Sequence, residues 1–223
     1  MGKRGLKPKG KVKIAWSPNF AYAIGLLVTD GSLSKDGRHI IFVSKDLEQL
    51  KNFMKALGFS ANISTTRSGY TGEMTTRVQF GDVLFYNFLL DIGLMPNKTK
   101  VIDRVHIPNE YFFDFLRGCF DGDGSTYSYF DPRWKSSFMF YTTFVSASAK
   151  HIEWLQEEIS KQAGLYGHIT GRGSSKRAVL QLKYAKKESL LLLKKMYYSK
   201  SLLCLSRKRL KIEKMLRIIG EQL

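Results

Sequence analysis

Two stretches of the sequence, AIGLLVTDGS (residues 23–32) and LRGCFDGDGS (residues 116–125), decide the fold of this 223-residue chain. Each is an apolar, helix-like stretch that contains a glycine five residues before the aspartate of Asp-Gly-Ser. A glycine just after the last periodic residue is where helices usually stop. The two stretches therefore predict a pair of similar helices, each ending at an aspartate, Asp30 in the first and Asp123 in the second.

The similarity continues on the C-terminal side of both stretches. Each is followed by a strand that ends in Phe-Val-Ser and by an amphipathic helix that stops at glycine, at residues 41–58 and 143–164. Next comes an alternating strand, TTRVQF (75–80) in one copy and RAVLQL (177–182) in the other, and then an apolar-periodic helix. Similar segments in the same order indicate an internal duplication.

The duplication predicts the organisation of the chain. Each copy reads helix, strand, strand, helix, strand, strand, helix, and SRKRLKIEKMLRIIGEQL (206–223) is expected to form a closing helix. The connection between the copies is short, so the halves should pack closely. We expect a basic N-terminal arm (1–17), a first half (18–105) and a second half with the closing helix (106–223).

The charge of the chain makes nucleic acid the first partner to consider. Thirty-six Lys and Arg against 19 Asp and Glu give a net charge of +17, which suits a polyanion. An anionic membrane or an acidic protein would satisfy the charge equally well, and a basic protein that is merely soluble stays open.

The sequence also predicts where the protein is found. No apolar run of about 18 residues exists, and no apolar segment follows the basic start as it would in a secretory signal. Cys119 and Cys204 have no partners at metal-ligand spacing and are expected to be buried, reduced thiols. We therefore expect an intracellular protein without membrane association, in the cytoplasm of a prokaryote or in an organelle, and not secreted.

The two helix ends call for a cation. A carboxylate there lies against the negative end of the helix dipole, at a cost of about 0.3 to 1 kcal/mol unless a cation compensates. Gly25 and Gly118 each cost about 1 kcal/mol relative to Ala in mid-helix, which makes sense if two backbones approach closely there. Such packing would bring Asp30 and Asp123 together, and close carboxylates raise each other's pKa unless a divalent metal neutralises them.

Mg²⁺ is the metal that suits two carboxylates. It binds through one or two carboxylates, backbone carbonyls, water and substrate phosphate. Metals held beside a phosphodiester can activate a water and stabilise the leaving oxygen. We expect two or three such ions, with Mn²⁺ able to substitute.

The two stretches resemble the paired motifs of the LAGLIDADG homing endonucleases in their monomeric, two-motif form. The consensus residues kept are Gly25, Leu26, Asp30 and Gly31 in the first stretch and Leu116, Gly118, Asp121, Asp123 and Gly124 in the second. The resemblance runs from Phe20 to Ile212. It implies an α+β fold of two pseudo-symmetric αββαββα units, whose motif helices form the interface and whose antiparallel four-stranded sheets form a DNA-binding saddle. The implied activity, for an intron-encoded monomer, is metal-dependent cleavage of both strands of a long asymmetric DNA target, leaving short 3′ overhangs.

The resemblance also implies roles for particular residues. Asp30 and Asp123, the last acidic residues of the motifs, would be the catalytic metal ligands. The backbone carbonyls of Thr29 and Gly122 would complete the metal shell. The basic residues near the metals correspond to Lys98 and Lys208, and a polar residue at the end of the second strand corresponds to Lys45.

The copies differ at two of these positions. Val28 stands where the motif has its first acidic residue, which Asp121 supplies in the second copy. That position is usually not the metal ligand. Ala147 stands in the second copy where Lys45 stands in the first. Unequal active sites, with unequal rates of cutting the two strands, are therefore expected.

Strand alternation predicts which side chains would face the DNA major groove, where base edges offer distinct donor and acceptor patterns. A phosphate contact or a solvated strand residue is an equally open interpretation of each, because half or more of protein–DNA hydrogen bonds go to the backbone. The candidates are Ser32, Ser34, Arg38, Ser64, Arg67, Arg77 and Gln79 in the first half and Ser125, Tyr127, Tyr129, Arg172, Arg177, Gln181 and Lys183 in the second.

Two binding functions compete with that of an endonuclease. One is a maturase-like partner for intron RNA, and the other is a catalytically inactive DNA-binding protein of the same fold. Both motif aspartates are intact, which argues against the inactive protein, whereas no feature excludes an RNA role. The expected partner is therefore double-stranded DNA, with intron RNA as an open alternative.

Overall fold

The computed structural model describes residues 10–67, 72–134, 136–171 and 179–223. The first nine residues of the expected N-terminal arm lie outside this part of the chain, as do the candidates Arg172 and Arg177. Among the described residues, no helix combines the length and apolar character needed to cross a membrane. Cys119 and Cys204 are free and buried, as expected.

The described residues form seven α-helices and eight β-strands in two similar halves. The first half comprises α1 (Pro18–Asp30), β1 (Gly31–Leu33), β2 (His39–Ser44), α2 (Leu47–Leu57), β3 (Ile63–Arg67), β4 (Met74–Gly81) and α3 (Val83–Asp91). The second comprises α4 (Phe112–Asp123), β5 (Ser125–Phe130), β6 (Phe138–Ser146), α5 (Ala149–Ala163), β7 (His168–Thr170), β8 (Leu180–Ala185) and α6 (Lys186–Met196), and α7 (Ser206–Ile218) follows.

Each half contains one antiparallel four-stranded sheet. The strand order is β1-β2-β4-β3 in the first half and β5-β6-β8-β7 in the second. In both sheets the fourth strand of the half lies next to the second, and the third lies at the edge. The second and fourth strands of each half are therefore the central pair. The expected pair of αββαββα units with antiparallel sheets is confirmed.

Local sequence explains where the principal helices begin and end. Ser17 begins α1, because its hydroxyl accepts the backbone N–H of Phe20 at 3.1 Å and Pro18 fits the first helical position. Gly58 and Gly164 end α2 and α5 with left-handed φ values of 67° and 66°, which glycine adopts without strain. The predicted closing helix ends at Ile218, two residues before Gly220, whose φ is 72°.

The alternation of the central strands sets the two faces of each sheet. Phe42 of β2 pairs with Val78 of β4, and both are fully buried beneath the helices. Phe144 of β6 pairs with Leu182 of β8 in the same way. Val78 therefore corresponds to Leu182, a shift of two residues from the sequence alignment of TTRVQF with RAVLQL. Because strands have a period of two, the shift leaves every side chain on its predicted face.

Candidate functional site

The motif helices α1 and α4 pack against each other through their glycines. A methyl group on Gly25 would lie 2.1 Å from the carbonyl oxygen of Phe115, and one on Gly118 would lie 2.1 Å from that of Tyr22. No atom can occupy these places, so only glycine lets the two backbones come this close. The contact brings the C-terminal ends of both helices together.

At those ends the aspartates of the two halves share one site. A methyl group on Gly122 would lie 1.9 Å from the hydroxyl oxygen of Thr29 and 2.8 Å from Oδ2 of Asp30. The end of α4 therefore touches the end of α1, and the missing side chain of Gly122 makes room for its counterpart Thr29. Asp30 is partly buried there, whereas Asp123 reaches further into solvent.

The electrostatics of the aspartates reflect their proximity. Burial and the charge of Asp123 raise the pKa of Asp30 to about 7, and the Thr29 hydroxyl, Lys208 and Lys98 oppose this rise. Partial desolvation raises the pKa of Asp123, which Lys208 and Lys98 lower. The site therefore lacks the positive charge needed to keep both carboxylates ionised.

Lys98 and Lys208 supply part of that charge. The ammonium of Lys98 donates to the carbonyl oxygen of Gly31 at 2.6 Å, just beyond α1. Lys208 donates to the carbonyl oxygens of Phe120, Gly122 and Gly124 at 2.6, 3.0 and 2.7 Å, at the end of α4. Cations at the negative ends of both helices offset the dipole cost that the aspartates create. Burial lowers the pKa of each lysine to about 8, although Asp30 and Asp123 raise both and Asp121 also raises that of Lys208.

Lys45 has a different environment from the other two lysines. It follows β2, its side chain is 70% exposed, and its ammonium contacts Glu73. Its counterpart Ala147 lines a cavity beside Asp123, together with Lys98 and His151. The catalytic role expected of Lys45 stays a prediction.

Asp121 belongs to a buried network that the sequence did not reveal. Its carboxylate accepts hydrogen bonds from the hydroxyls of Tyr22 at 2.8 Å and Tyr197 at 3.2 Å, and from the backbone N–H of Leu205 at 2.6 Å. Burial raises its pKa. Asp121 thus faces the interior and not the helix-end site. No sequence signal identified these partners, because all three lie more than 70 residues away in the chain.

Arg117 extends this network and is fully buried. Its guanidinium pairs with Asp114 at 2.7 Å, and it donates to the carbonyl oxygens of Met196 and Leu203 at 2.8 and 3.0 Å. Its carbon Cζ lies 5.3 Å from the ring centroid of Tyr22, close enough for a cation–π contact. The network joins α4 to the segment between α6 and α7.

The donors at the helix ends fit a hydrated divalent ion. In the described part of the chain, no group of three or more His, Cys, Asp and Glu side chains could hold a metal. Two carboxylates and nearby backbone carbonyls suit Mg²⁺, which keeps several of its waters, better than Zn²⁺, which takes four protein ligands in structural sites. The Gly122 carbonyl oxygen accepts one bond from Lys208 and has a second lone pair.

The strand register brings four first-half candidates onto the face of the sheet that points away from the helices. Ser32, Ile41 and Gln79 form one row across the sheet, and Ser64, Val43 and Arg77 form the next.

Three first-half candidates lie elsewhere. Arg67 belongs to the other alternating set of β3, because it pairs with Met74, and the register does not place it in these rows. Ser34 and Arg38 lie in the connection between β1 and β2. Their roles in binding stay predictions.

The same face of the second sheet carries five candidates and an aromatic row. Register places Ser125 in line with Thr143 and Lys183, Gln181 in line with Val145, and Tyr127 opposite Tyr141. The rings of Tyr127 and Tyr141 stack at 4.9 Å, and Tyr129 lies parallel to Tyr141 at 6.3 Å. Tyr141, Thr143 and His168, which pairs with Lys183, lie on the same face and were not among the candidates, although alternation from the buried Phe144 predicts the first two.

Comparisons with known proteins concern the fold. No family model and no curated protein matches the sequence. Full-length DUF199/WhiA from Thermatoga maritima is similar with a TM-score of 0.56 and 14% identity over 94% of this chain, which spans only 63% of that protein. The homing endonuclease I-WcaI, bound to its DNA recognition sequence, gives a TM-score of 0.58 and 13% identity over 90% of this chain and 88% of its own.

A third solved structure, the I-LtrWI LAGLIDADG homing endonuclease bound to target DNA, gives a TM-score of 0.56 and 13% identity over 87% of each chain. The glycine-packed helices, the two four-stranded sheets and these similarities agree. The chain therefore has the fold of the LAGLIDADG proteins.

Proposed function

We propose that the chain is a metal-dependent DNA endonuclease that cuts both strands of a long asymmetric target. One observation carries the proposal: two aspartates from equivalent positions meet at the ends of glycine-packed helices, and each helix end also holds a partly or fully buried lysine. A structural role alone does not account for two neighbouring carboxylates, one of which has a pKa raised to about 7 by burial and by the charge of the other.

The carboxylates of Asp30 and Asp123 would hold Mg²⁺, with the backbone carbonyls of Thr29 and Gly122 as further oxygen ligands. When bound, Mg²⁺ would activate water and stabilise the leaving oxygen of the phosphodiester. Lys98 and Lys208 are mostly charged at pH 7, since their pKa values are about 8. Each can stabilise negative charge on a phosphate or exchange a proton with water at the site.

DNA would lie across the open faces of both sheets. Ser32, Arg77 and Gln79 on one sheet and Tyr127 and Lys183 on the other supply donors, acceptors and apolar edges. The net charge of +17 favours a polyanion. The two homing endonucleases compared above are bound to DNA, which supports DNA as the partner.

The test is cleavage of a plasmid library with randomised inserts in Mg²⁺, followed by sequencing of the ends. We expect site-specific double-strand breaks that are lost in Asp30→Asn and in Asp123→Asn. Asp91→Asn is the matched control, because Asp91 is an exposed aspartate at the last residue of α3, away from the helix interface. Cleavage that survives both motif substitutions would refute the assignment of the site.

The competing functions give other outcomes of the same experiment. Sequence-specific DNA binding by the wild-type chain without cleavage would indicate the inactive DNA-binding protein. Tighter binding to structured intron RNA than to DNA would favour the maturase. Binding must be compared at several salt concentrations, because a chain of this charge binds many polyanions at low ionic strength.

A further inference from the structure

Residues 204–208, here called the second strap, leave the second half and lie against α2 of the first half. Three side chains of the α2 region hold this segment. Asn52 donates to the carbonyl oxygen of Cys204 at 2.9 Å. Glu48 accepts the backbone N–H of Ser206 at 3.2 Å, and Asp46 accepts three hydrogen bonds from Arg207 at 2.8 to 3.3 Å. Lys208 is the next residue.

The acidic residues at the start of α2 bind the strap. Asp46 is the N-cap residue of α2, yet its side chain makes no capping hydrogen bond there. The N-cap residue of α7 is Leu205, which has no side chain able to cap, so the Glu48 carboxylate satisfies the first turn of α7 from the other half. Both carboxylates therefore orient the start of α7.

The second half holds the strap from the opposite side. Leu205 donates its backbone N–H to the buried Asp121 of α4, at 2.6 Å. The segment thus lies between α2 of one half and α4 of the other, and it carries the Lys208 ammonium to the end of α4. The position of that ammonium depends on both halves.

Lys98, the counterpart of Lys208, lies at the start of residues 98–104, here called the first strap, and this segment is held differently. The Ser148 hydroxyl, equivalent in position to Asp46, donates to the Ile102 carbonyl oxygen at 2.5 Å, and His151 contacts the Asp103 carbonyl oxygen at 2.8 Å. The ion pair with α5, Arg104–Glu157 at 3.0 Å, lies six residues after Lys98. In the second strap the ion pair with Asp46 is formed by Arg207, the residue adjacent to Lys208.

We infer that Asp46 and Glu48 of the first half are positioning residues for Lys208 of the second. The inference rests on the proposed function for the catalytic use of Lys208, but not for the placement of its ammonium. It makes one candidate active site depend on the charge of a helix in the other half. The candidate site that contains Lys98 does not depend in this way on an ion pair formed by the residue next to its lysine.

The placement is tested without DNA. The full chain is treated briefly with an acetylating N-hydroxysuccinimide ester, and modification of each lysine is followed by peptide mass spectrometry. We expect Asp46→Ala and Asp46→Ala/Glu48→Ala to raise the labelling rate of Lys208 by about fivefold or more, with Lys98 unchanged as an internal reference. Glu157→Ala is the matched control, because it removes a cross-half Arg–carboxylate pair whose arginine is not adjacent to either lysine in the chain. Unchanged labelling of Lys208 in the double variant would overturn the inference, and equal increases at both lysines would indicate general destabilisation instead.

The catalytic consequence is tested by single-turnover nicking of a target found in the library experiment. We expect Asp46→Ala to slow cleavage of one strand by about tenfold, with DNA affinity unchanged, and Asp46→Glu to restore most of the rate. In an Arg207→Ala background the effect of Asp46→Ala should vanish, since the two residues act as a pair. Equal slowing of both strands, or additive effects, would overturn the positioning role. If the wild-type chain cuts no DNA, the proposed function fails, and the labelling result still decides the placement.

Discussion

The two motif helices have the same backbone arrangement but different interiors. In α1 the apolar residues Ile24 and Val28 stand at the positions that Arg117 and Asp121 occupy in α4. The α4 residues form a buried polar network with Tyr22, Tyr197 and the Leu205 backbone. The comparison teaches that glycine contact alone sets the shared geometry of the helix ends. The polar network in the second half instead holds the segment between α6 and α7, which leads the chain back to that site.

The first prediction tests the symmetry of the helix contact and has the largest expected effect. Gly25→Ala and Gly118→Ala should each lower the free energy of unfolding by about 4 kcal/mol or more, because the added methyl group meets a backbone carbonyl at 2.1 Å and the helices must separate. Urea unfolding measures the loss. The control is Gly81→Ala, whose methyl group would lie 3.5 Å from the His39 ring. If one substitution lowered the free energy of unfolding slightly and the other severely, the two helix backbones would not be equally close at the two glycines.

The second prediction uses pH to compare the two aspartates. The folded chain holds a proton on Asp30 up to about pH 7, whereas the unfolded chain releases it near pH 3.8. Folded-state proton binding is therefore greater in this window, so the free energy of unfolding falls as pH rises through it, by a total on the order of 2 to 4 kcal/mol. Urea unfolding at pH 5 and pH 8 in a chelator measures the fall.

Asp30→Asn should abolish most of that fall, and Asp123→Asn should abolish less through its own titration, since Asp123 is more exposed. Mg²⁺ at pH 8 should restore stability to the wild-type chain but not to Asp30→Asn. A wild-type chain whose unfolding free energy is the same at both pH values would contradict the raised pKa of Asp30.

The third prediction concerns the loss of the buried polar network around Asp121 in the second half. Asp121→Ala leaves the hydroxyls of Tyr22 and Tyr197 and the N–H of Leu205 without their acceptor, and should cost about 3 kcal/mol of unfolding free energy. Val28→Ala, the equivalent change in the first half, only trims apolar packing and should cost about 1 kcal/mol. Both values come from urea unfolding at pH 7. Equal costs would mean that the network contributes nothing beyond the volume it fills.

The sequence predicts whatever depends on local pattern and on the duplication. The order of the helices follows from the duplication. The glycine contact and the proximity of Asp30 and Asp123 follow from the two motif stretches, because equivalent residues in the two copies are expected to have the same backbone geometry. Apart from Asp114, the hydrogen-bond partners of Asp121 and Arg117 could not be predicted, since they lie 76 to 99 positions away in the chain. The exact register of β8 was also beyond the sequence, because a shift of two residues leaves its alternation unchanged.

The fourth prediction compares the open faces of the two sheets and has the smallest expected effect. It assumes the proposed binding of DNA. Tyr141→Ala removes the ring that stacks on Tyr127 and lies parallel to Tyr129, so the rings of Tyr127 and Tyr129 lose the contact that orients them. We expect an affinity loss of about 1 kcal/mol, or about fivefold, for the wild-type target, whereas Tyr141→Phe should bind almost as well as wild type.

Gln79→Ala removes a polar side chain from the open face of the first sheet and should act differently. We expect it to relax sequence preference at one position of the other half-site with little change in the salt dependence of binding, because a contact to a base edge releases few counterions. Fluorescence anisotropy with targets substituted in one half-site at a time distinguishes the two sheets. If Tyr141→Ala and Gln79→Ala weakened binding to the same half-site, the two sheets could not each read their own half of the target.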